Sequence, residues 1–165
     1  MAGAASGGNF RFRRSQRLLK PAEFERLQAS AASYRGGRRF LSIVMAARPD
    51  ATAVGRANEG HPRAQVRFGV TVGRRNARLS VQRALVKRIL REAMRHAAAE
   101  LEAAANGQNI DLVVRLKAPF PKPEAMSMPV FKRALRAEAD ALLAGARARL
   151  ATATGLPREA AKGAP

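Results

Sequence analysis

Residues 65–97 read QVRFGVTVGRRNARLSVQRALVKRILREAMRHA and hold the two sharpest structural signals in the chain. In the first nine, Val66, Phe68, Val70 and Val72 alternate with Gln65, Arg67, Gly69 and Thr71. A period of two with one apolar face predicts a strand half-buried against a core. Gly69 lies in its middle, where glycine costs stability, so either the strand bulges there or another group packs close to its backbone. After the turn Arg74-Arg75-Asn76, Ser80 is placed to cap a helix. Over 81–97, Leu85, Val86, Ile89, Leu90, Ala93 and Ala97 share one helical face, and Arg83, Lys87, Arg88, Arg91 and Arg95 share the opposite one. Arg83, Lys87, Arg91 and Arg95 recur every fourth residue, which sets their side chains about 6 Å apart in a ridge. Like charges so placed repel by roughly 0.2–0.5 kcal/mol per pair, a penalty that a partner's phosphates would relieve.

Working outward, Pro21 suits the first position of a helix over 21–33, with Glu23 and Glu25 in its first turn and Phe24, Leu27 and Ala31 on one face. Tyr34-Arg-Gly-Gly breaks that helix, and 39–47 (RFLSIVMAA) reads as a strand. Residues 48–64, with two prolines and two glycines, read as a flexible loop insertion. Downstream, 109–117 (NIDLVVRLK) alternates Ile110, Leu112, Val114 and Leu116 against Asp111, Val113 and Arg115, a third strand. Prolines at 119, 121, 123 and 129 mark a loop, and 130–149 forms a last helix on Phe131, Leu135 and Leu142, with Lys132, Arg133 and Arg136 near its start. The element order is αββαβα, with room for one further strand, in a single α+β domain spanning 10–150. Residues 1–9 and 151–165 read as disordered tails.

Charge narrows the function. The 165 residues carry 31 Lys and Arg against 12 Asp and Glu, a net charge of +19, where solubility alone asks for about 2–8. The excess is concentrated: residues 10–40 hold nine basic groups against two acidic, and 67–95 nine against one. Both stretches carry structural patterns, so the charge belongs to a folded surface and asks for a polyanionic partner, nucleic acid first. A charged helical face is often merely solvated, but a solvated face interleaves acids, and here only Glu92 does so, off the ridge.

Chemistry of the chain's own finds little support. There is no cysteine, and His61 and His96 are the only histidines, so thiolate catalysis and zinc centres are excluded or starved of ligands. Asp111 and Asp140 share no short motif with a second carboxylate, so a two-metal nuclease site is not supported and no catalytic or metal-ligating residue is assigned. No apolar run approaches the length of a membrane span, and the start MAGAASGGNFRFRR lacks the apolar region of a secretory signal, so a cytoplasmic protein is expected. With seven Phe, one Tyr and no Trp, aromatic platforms are scarce; Phe24 is either core or a stacking surface. What remains is a nucleic-acid binder, such as a ribosomal or nucleoid-associated protein, or a protein-only nuclease, the last lacking its carboxylates.

GVTVGRR (69–75) followed by VQRALVKRILREAMR (81–95) resembles the protein subunit of bacterial ribonuclease P. Gly69, Thr71, Val72, Arg74 and Arg75 match the family's strand end, and Val81, Arg83, Lys87, Arg88, Arg91, Glu92 and Arg95 match its basic helix. RLLKPAEFERL (17–27) and IDLVVRLKAP (110–119) resemble its opening helix and later strand, so the resemblance runs over about 16–145. The family's Arg-Asn-Arg triplet stands here as Arg83-Ala84-Leu85, the turn 76–80 is one residue longer and lacks its glycine, and two cleft positions often aromatic in the family are Gln28 and Ile43.

The resemblance implies an α+β two-layer sandwich like a domain of a ribosomal small-subunit protein, with a left-handed β-α-β crossover. It implies that the RNA subunit carries the active site and holds most of the Mg²⁺, while the protein binds that RNA and the 5′ leader of precursor tRNA. On that basis Arg74, Arg75, Arg83, Lys87, Arg88, Arg91 and Arg95 are expected on RNA, and Phe24, Arg67 and Thr71 in a leader cleft between the first helix and the sheet. No membrane and no protein partner is expected.

Overall fold

The computed structural model describes residues 12–30, 32, 34–48 and 66–153. A short 3-10 turn, Arg14–Gln16, leads into α1 (Pro21–Ala29), then β1 (Tyr34–Gly37), β2 (Leu41–Ala47), β3 (Val66–Thr71), α2 (Ser80–Ala105), β4 (Ile110–Leu116) and α3 (Met128–Ala153). The four strands make one sheet in the order β1-β2-β4-β3. β1 and β4 both pair antiparallel with β2, whereas β3 and β4 are parallel. Parallel neighbours need a crossover, and α2 supplies it. The expected tail at 1–9, nearly all of the loop at 48–64, and 154–165 lie outside the described residues.

Alternation sorts the two faces of the sheet. Leu41, Ile43 and Met45 of β2, Val66 and Phe68 of β3, and Ile110, Leu112, Val114 and Leu116 of β4 are buried in one cluster with Val86, Leu90, Met94 and Leu101 of α2 and Phe131, Leu135, Leu142 and Leu143 of α3. Each such side chain contributes about 1.5–3 kcal/mol by leaving water, so this layer of two helices on a sheet is the body of the expected sandwich. The second face carries α1, whose Leu27, together with Leu18 from the segment before the helix, buries against Ala46 and Val113, with Phe24 and Val44 packed beside them.

Five features differ from the sequence reading. Tyr34-Arg-Gly-Gly is the fourth strand, not merely a break: Gly36 and Gly145 leave the space that Tyr34 fills, since a Cβ on Gly36 would lie 2.8 Å from the Tyr34 hydroxyl. Helix α1 stops at Ala29 because the Ser30 hydroxyl donates to the Leu27 carbonyl (2.9 Å) and Ser30 turns extended. Helix α2 runs eight residues past 97 on alanine-rich turns that keep Ala98, Leu101, Ala104 and Ala105 buried, and ends where Asn106 (φ 47°) and Gly107 (φ 84°) turn left-handed. Ser80 is the first helical residue rather than the cap; the Leu79 N–H at the cap position donates to the Gln82 side chain (3.2 Å). At the far end Ala151–Ala153, read as tail, complete α3.

Candidate nucleic-acid interface

The register of the sheet arranges its second face in cross-strand rows. Ala46, Asp111 and Arg67 form one, Val44, Val113 and Gly69 the next, and Ser42, Arg115 and Thr71 a third. Helix α1 covers the first two. The third is uncovered, and a cleft of about 440 Å³ opens there, lined by Leu27, Gln28, Arg35, Gly36, Ser42, Ile43, Val44, Val113 and Arg115.

The first row holds α1 to the sheet through ions. Asp111 is buried, its side chain 4% exposed, and accepts hydrogen bonds from Arg67 (2.8 and 2.9 Å), Arg48 (2.6 Å) and Arg26 (3.4 Å). Arg67 also donates to Glu23 of α1 (2.8 Å). Burial alone would lower the Arg67 pKa, but Asp111 and Glu23 outweigh it and raise it. Burial would likewise raise Glu23, and the Lys20 backbone N–H together with Arg67 instead holds it below the usual carboxylate range. Arg67, placed by sequence in the leader cleft, is thus committed to positioning α1. Three guanidiniums around one carboxylate also leave no seat for a divalent cation, and among the described residues no cluster of three or more acidic or histidine side chains could hold one.

In the second row the close approach to Gly69 is made by Phe24. A Cβ on Gly69 would lie 2.6 Å from Phe24 Cε1 and 3.0 Å from Val113 Cγ2, so only glycine lets the ring lie flat against the strand. Phe24 is half-buried and packs beside Leu18, Leu27, Ala46 and Val113, and it is not among the side chains that line the cleft. Thr71 lies in the third row beside Arg115, with Arg74 and Arg75 exposed in the turn that follows β3. Of the two positions expected in the cleft, Gln28 is exposed at its edge, but the Ile43 side chain is buried in the main core and its neighbours Ser42 and Val44 face the cleft. Arg115 and Arg35 were missed as site residues. Strand parity could have found Arg115, which lies two and four residues from Val113 and Asp111 on the same face.

The basic ridge of α2 divides on inspection. Lys87, Arg88 and Arg91 make no ion pair with a described residue. Arg83 reaches back to the carbonyls of Ala77 (3.0 Å) and Arg78 (2.8 Å), closing the turn before its own helix. Arg95 is paired with Glu92, which His96 also approaches (3.1 Å). The Arg95 hydrogen bond is the main reason the Glu92 pKa falls to about 2, with His96 adding to it.

A family profile described as Ribonuclease P matches residues 12–142. The chain belongs to that family. It is 34% identical over 133 residues to the ribonuclease P protein component of Bordetella petrii, covering 79% of this chain and 91% of the relative. It is 37% identical over 125 residues to that of Bordetella avium, covering 76% and 86%. The structure of the Staphylococcus aureus RNase P protein superposes with a TM-score of 0.54 at 15% identity, over 79% of this chain and 94% of the other, which shows a shared fold. As a bacterial ribonuclease P protein component the chain takes part in endonucleolytic tRNA processing, and its partner is an RNA, the ribonuclease P RNA. No helix of the described residues is long and apolar enough to cross a membrane.

Proposed function

We propose that this ribonuclease P protein acts in the cytoplasm on two RNAs through two surfaces. The cations of α2, chiefly Lys87, Arg88 and Arg91 with Arg83 and Arg95 beside them, bind the ribonuclease P RNA by charge-assisted contacts to phosphates. The cleft between α1 and the sheet holds the 5′ leader of precursor tRNA. The observation that carries this reading is the uncovered third row with its cleft: Arg115 and Arg35 line it and suit an extended phosphate backbone, with Arg74 and Arg75 exposed in the turn after β3 to continue the strand's path and Phe24 on the neighbouring row as the aromatic surface. A cleft of about 440 Å³ is of a size to take part of a single strand, as a leader requires.

Catalysis in this reading belongs to the RNA, which holds the Mg²⁺. The chain's own residues contribute affinity and orientation: a leader held at one end converts an encounter into a positioned substrate. Cations of the protein also offset phosphate repulsion that Mg²⁺ would otherwise have to offset, so less Mg²⁺ should suffice.

The test is reconstitution. Purified protein, a bacterial ribonuclease P RNA and 5′-labelled precursor tRNA are mixed at low Mg²⁺, beside mixtures lacking each component. Cleavage at the mature 5′ end only in the complete mixture is expected. Cleavage by protein alone would overturn RNA catalysis, and tight RNA binding with no cleavage would return the protein to the ribosomal or nucleoid class.

A further inference from the structure

Helices α2 and α3 lie side by side and parallel. Leu85, Arg88, Ile89 and Glu92 share a groove with Lys132 and Arg136, and further along the Arg147 guanidinium pairs with Glu100 (2.5 Å). The outer groove is polarised along its length. Its first half, about 310 Å³, has an apolar floor of Leu85 and Ile89 and is walled by Arg88, Lys132 and Arg136. Its second half meets His96, Glu100, Asp140 and Arg147, where the two carboxylates balance the cations.

In the first half the balance fails. Glu92 is taken by Arg95, and Arg136 by Asp140 (3.0 Å), while Arg88 and Lys132 make no ion pair with a described residue. Arg133 adds a further exposed cation on α3. The exposed large apolar residues Leu79, Val81, Met128 and Val130 stand at the starts of the same two helices. Leu85 itself occupies the position where the family resemblance places a second arginine of the triplet, so α3 brings cations to the place where α2 lacks one.

We propose that the first half of the α2/α3 groove is an RNA site for one or two unpaired nucleotides, with a base against Leu85 and Ile89 and the flanking phosphates on Arg88 and Lys132, beside an Arg136 that Asp140 holds in place. Its volume is at the low end of the roughly 300–1,000 Å³ of ligand sites, which suits a splayed nucleotide. Apolar floor and cationic walls match a base and its phosphates, and the neutral second half sets the direction of the strand's exit. The proposal rests on the reading that this protein binds the ribonuclease P RNA, and it extends that interface from α2 onto α3.

The full-length protein and its Lys132→Ala/Arg136→Ala variant are titrated with labelled bacterial ribonuclease P RNA and with an unrelated structured RNA of equal length, over a salt series, with Arg91→Ala as the ridge control. Both changed residues are at the surface, and matched melting curves establish folding. The double variant should lower the salt slope for ribonuclease P RNA by roughly 0.7–0.9, the share of the one phosphate contact that Lys132 makes, since Arg136 is held by Asp140. A benzophenone side chain at position 85 should crosslink to unpaired nucleotides of that RNA. An unchanged slope without crosslinks, while Arg91→Ala lowers the slope, overturns the groove site and leaves its charge to an acidic peptide. Equal affinity of the wild type for both RNAs, with the slope still lowered by the double variant, overturns the function reading and retains the groove as an RNA site.

Discussion

Replacing Asp111 with asparagine separates the ion network's structural role from its consequences for the leader cleft. The substitution keeps the shape of the side chain but removes the charge that Arg48 and Arg67 face, with side chains 7% and 15% exposed. An uncompensated buried charge costs about 3–5 kcal/mol. Arg26, half exposed at 50%, adds little, because water can solvate it once released. For a chain of this size 1 kcal/mol corresponds to roughly 2–4 °C in Tm, so Asp111→Asn should melt roughly 6–20 °C below wild type by calorimetry. Arg26→Ala should shift Tm by no more than a few degrees, about 1 kcal/mol or less. The network joins α1 to β3 and β4 through Glu23, Arg26, Arg67 and Asp111, so at temperatures where the variant remains folded its affinity for leader-bearing tRNA should fall relative to mature tRNA. A Tm loss under about 3 °C, under about 1 kcal/mol, would refute the account of Asp111 as the anchor.

Three further outcomes follow from the same geometry. Gly69→Ala should cost about 1–3 kcal/mol in urea unfolding, since the Phe24 ring must shift by about 1 Å, and Phe24→Ala in the same chain should recover most of it; a single-variant loss under about 0.5 kcal/mol would mean the ring is not seated there. Arg88→Ala with Arg91→Ala should lower the salt slope of ribonuclease P RNA binding by roughly 1.4–1.8, whereas Arg83→Ala should chiefly reduce stability, by about 1 kcal/mol, through the freed carbonyls of Ala77 and Arg78; equal slope losses per arginine would reverse that division. Glu92, with its folded pKa near 2 against 4.5 unperturbed, supplies stability that is present above about pH 4.5 and is lost as pH falls toward 2; the difference in melting between wild type and Glu92→Gln should therefore shrink over that interval, and a difference that persists at pH 2 would remove the ion pair as its source.

Much of the fold is legible where burial is one-sided. β3 and the first turns of α2 follow their apolar periods closely, because one face meets the core and the other meets water. β4 is harder: Asp111 and Val113 alternate correctly with the core residues yet are buried too, since α1 covers a face that the pattern marks as polar. β1 is nearly invisible, because its two glycines are poor strand formers and its pairing is decided by β2 and by the space Tyr34 needs. The candidate site is legible as charge and illegible as geometry. Arg83 and Arg95 share the helical face of Arg88 and Arg91, and Arg67 stands on the polar face of its strand as a solvent-facing residue would; only the fold reveals that a carboxylate or a carbonyl already holds them.

That distinction bears on how the net charge of +19 should be understood. A cation releases counterions on binding RNA only if its charge is available to a phosphate. Arg48 and Arg67 are fixed against Asp111, and withdrawing them would unfold the hold on α1. Arginine suits these internal roles because its planar fork can satisfy two acceptors at once, as Arg67 does with Asp111 and Glu23, and its charge persists when buried. Of the described cations without a carboxylate partner, Arg35 and Arg115 stand at the cleft, Lys87, Arg88 and Arg91 on α2, and Lys132 and Arg133 on α3. The first group lies on the sheet's second face, and the other two on the helical layer across the core. On the proposed function a leader strand and a structured RNA would therefore be held at once without competing for the same side chains, with the sheet between the two surfaces.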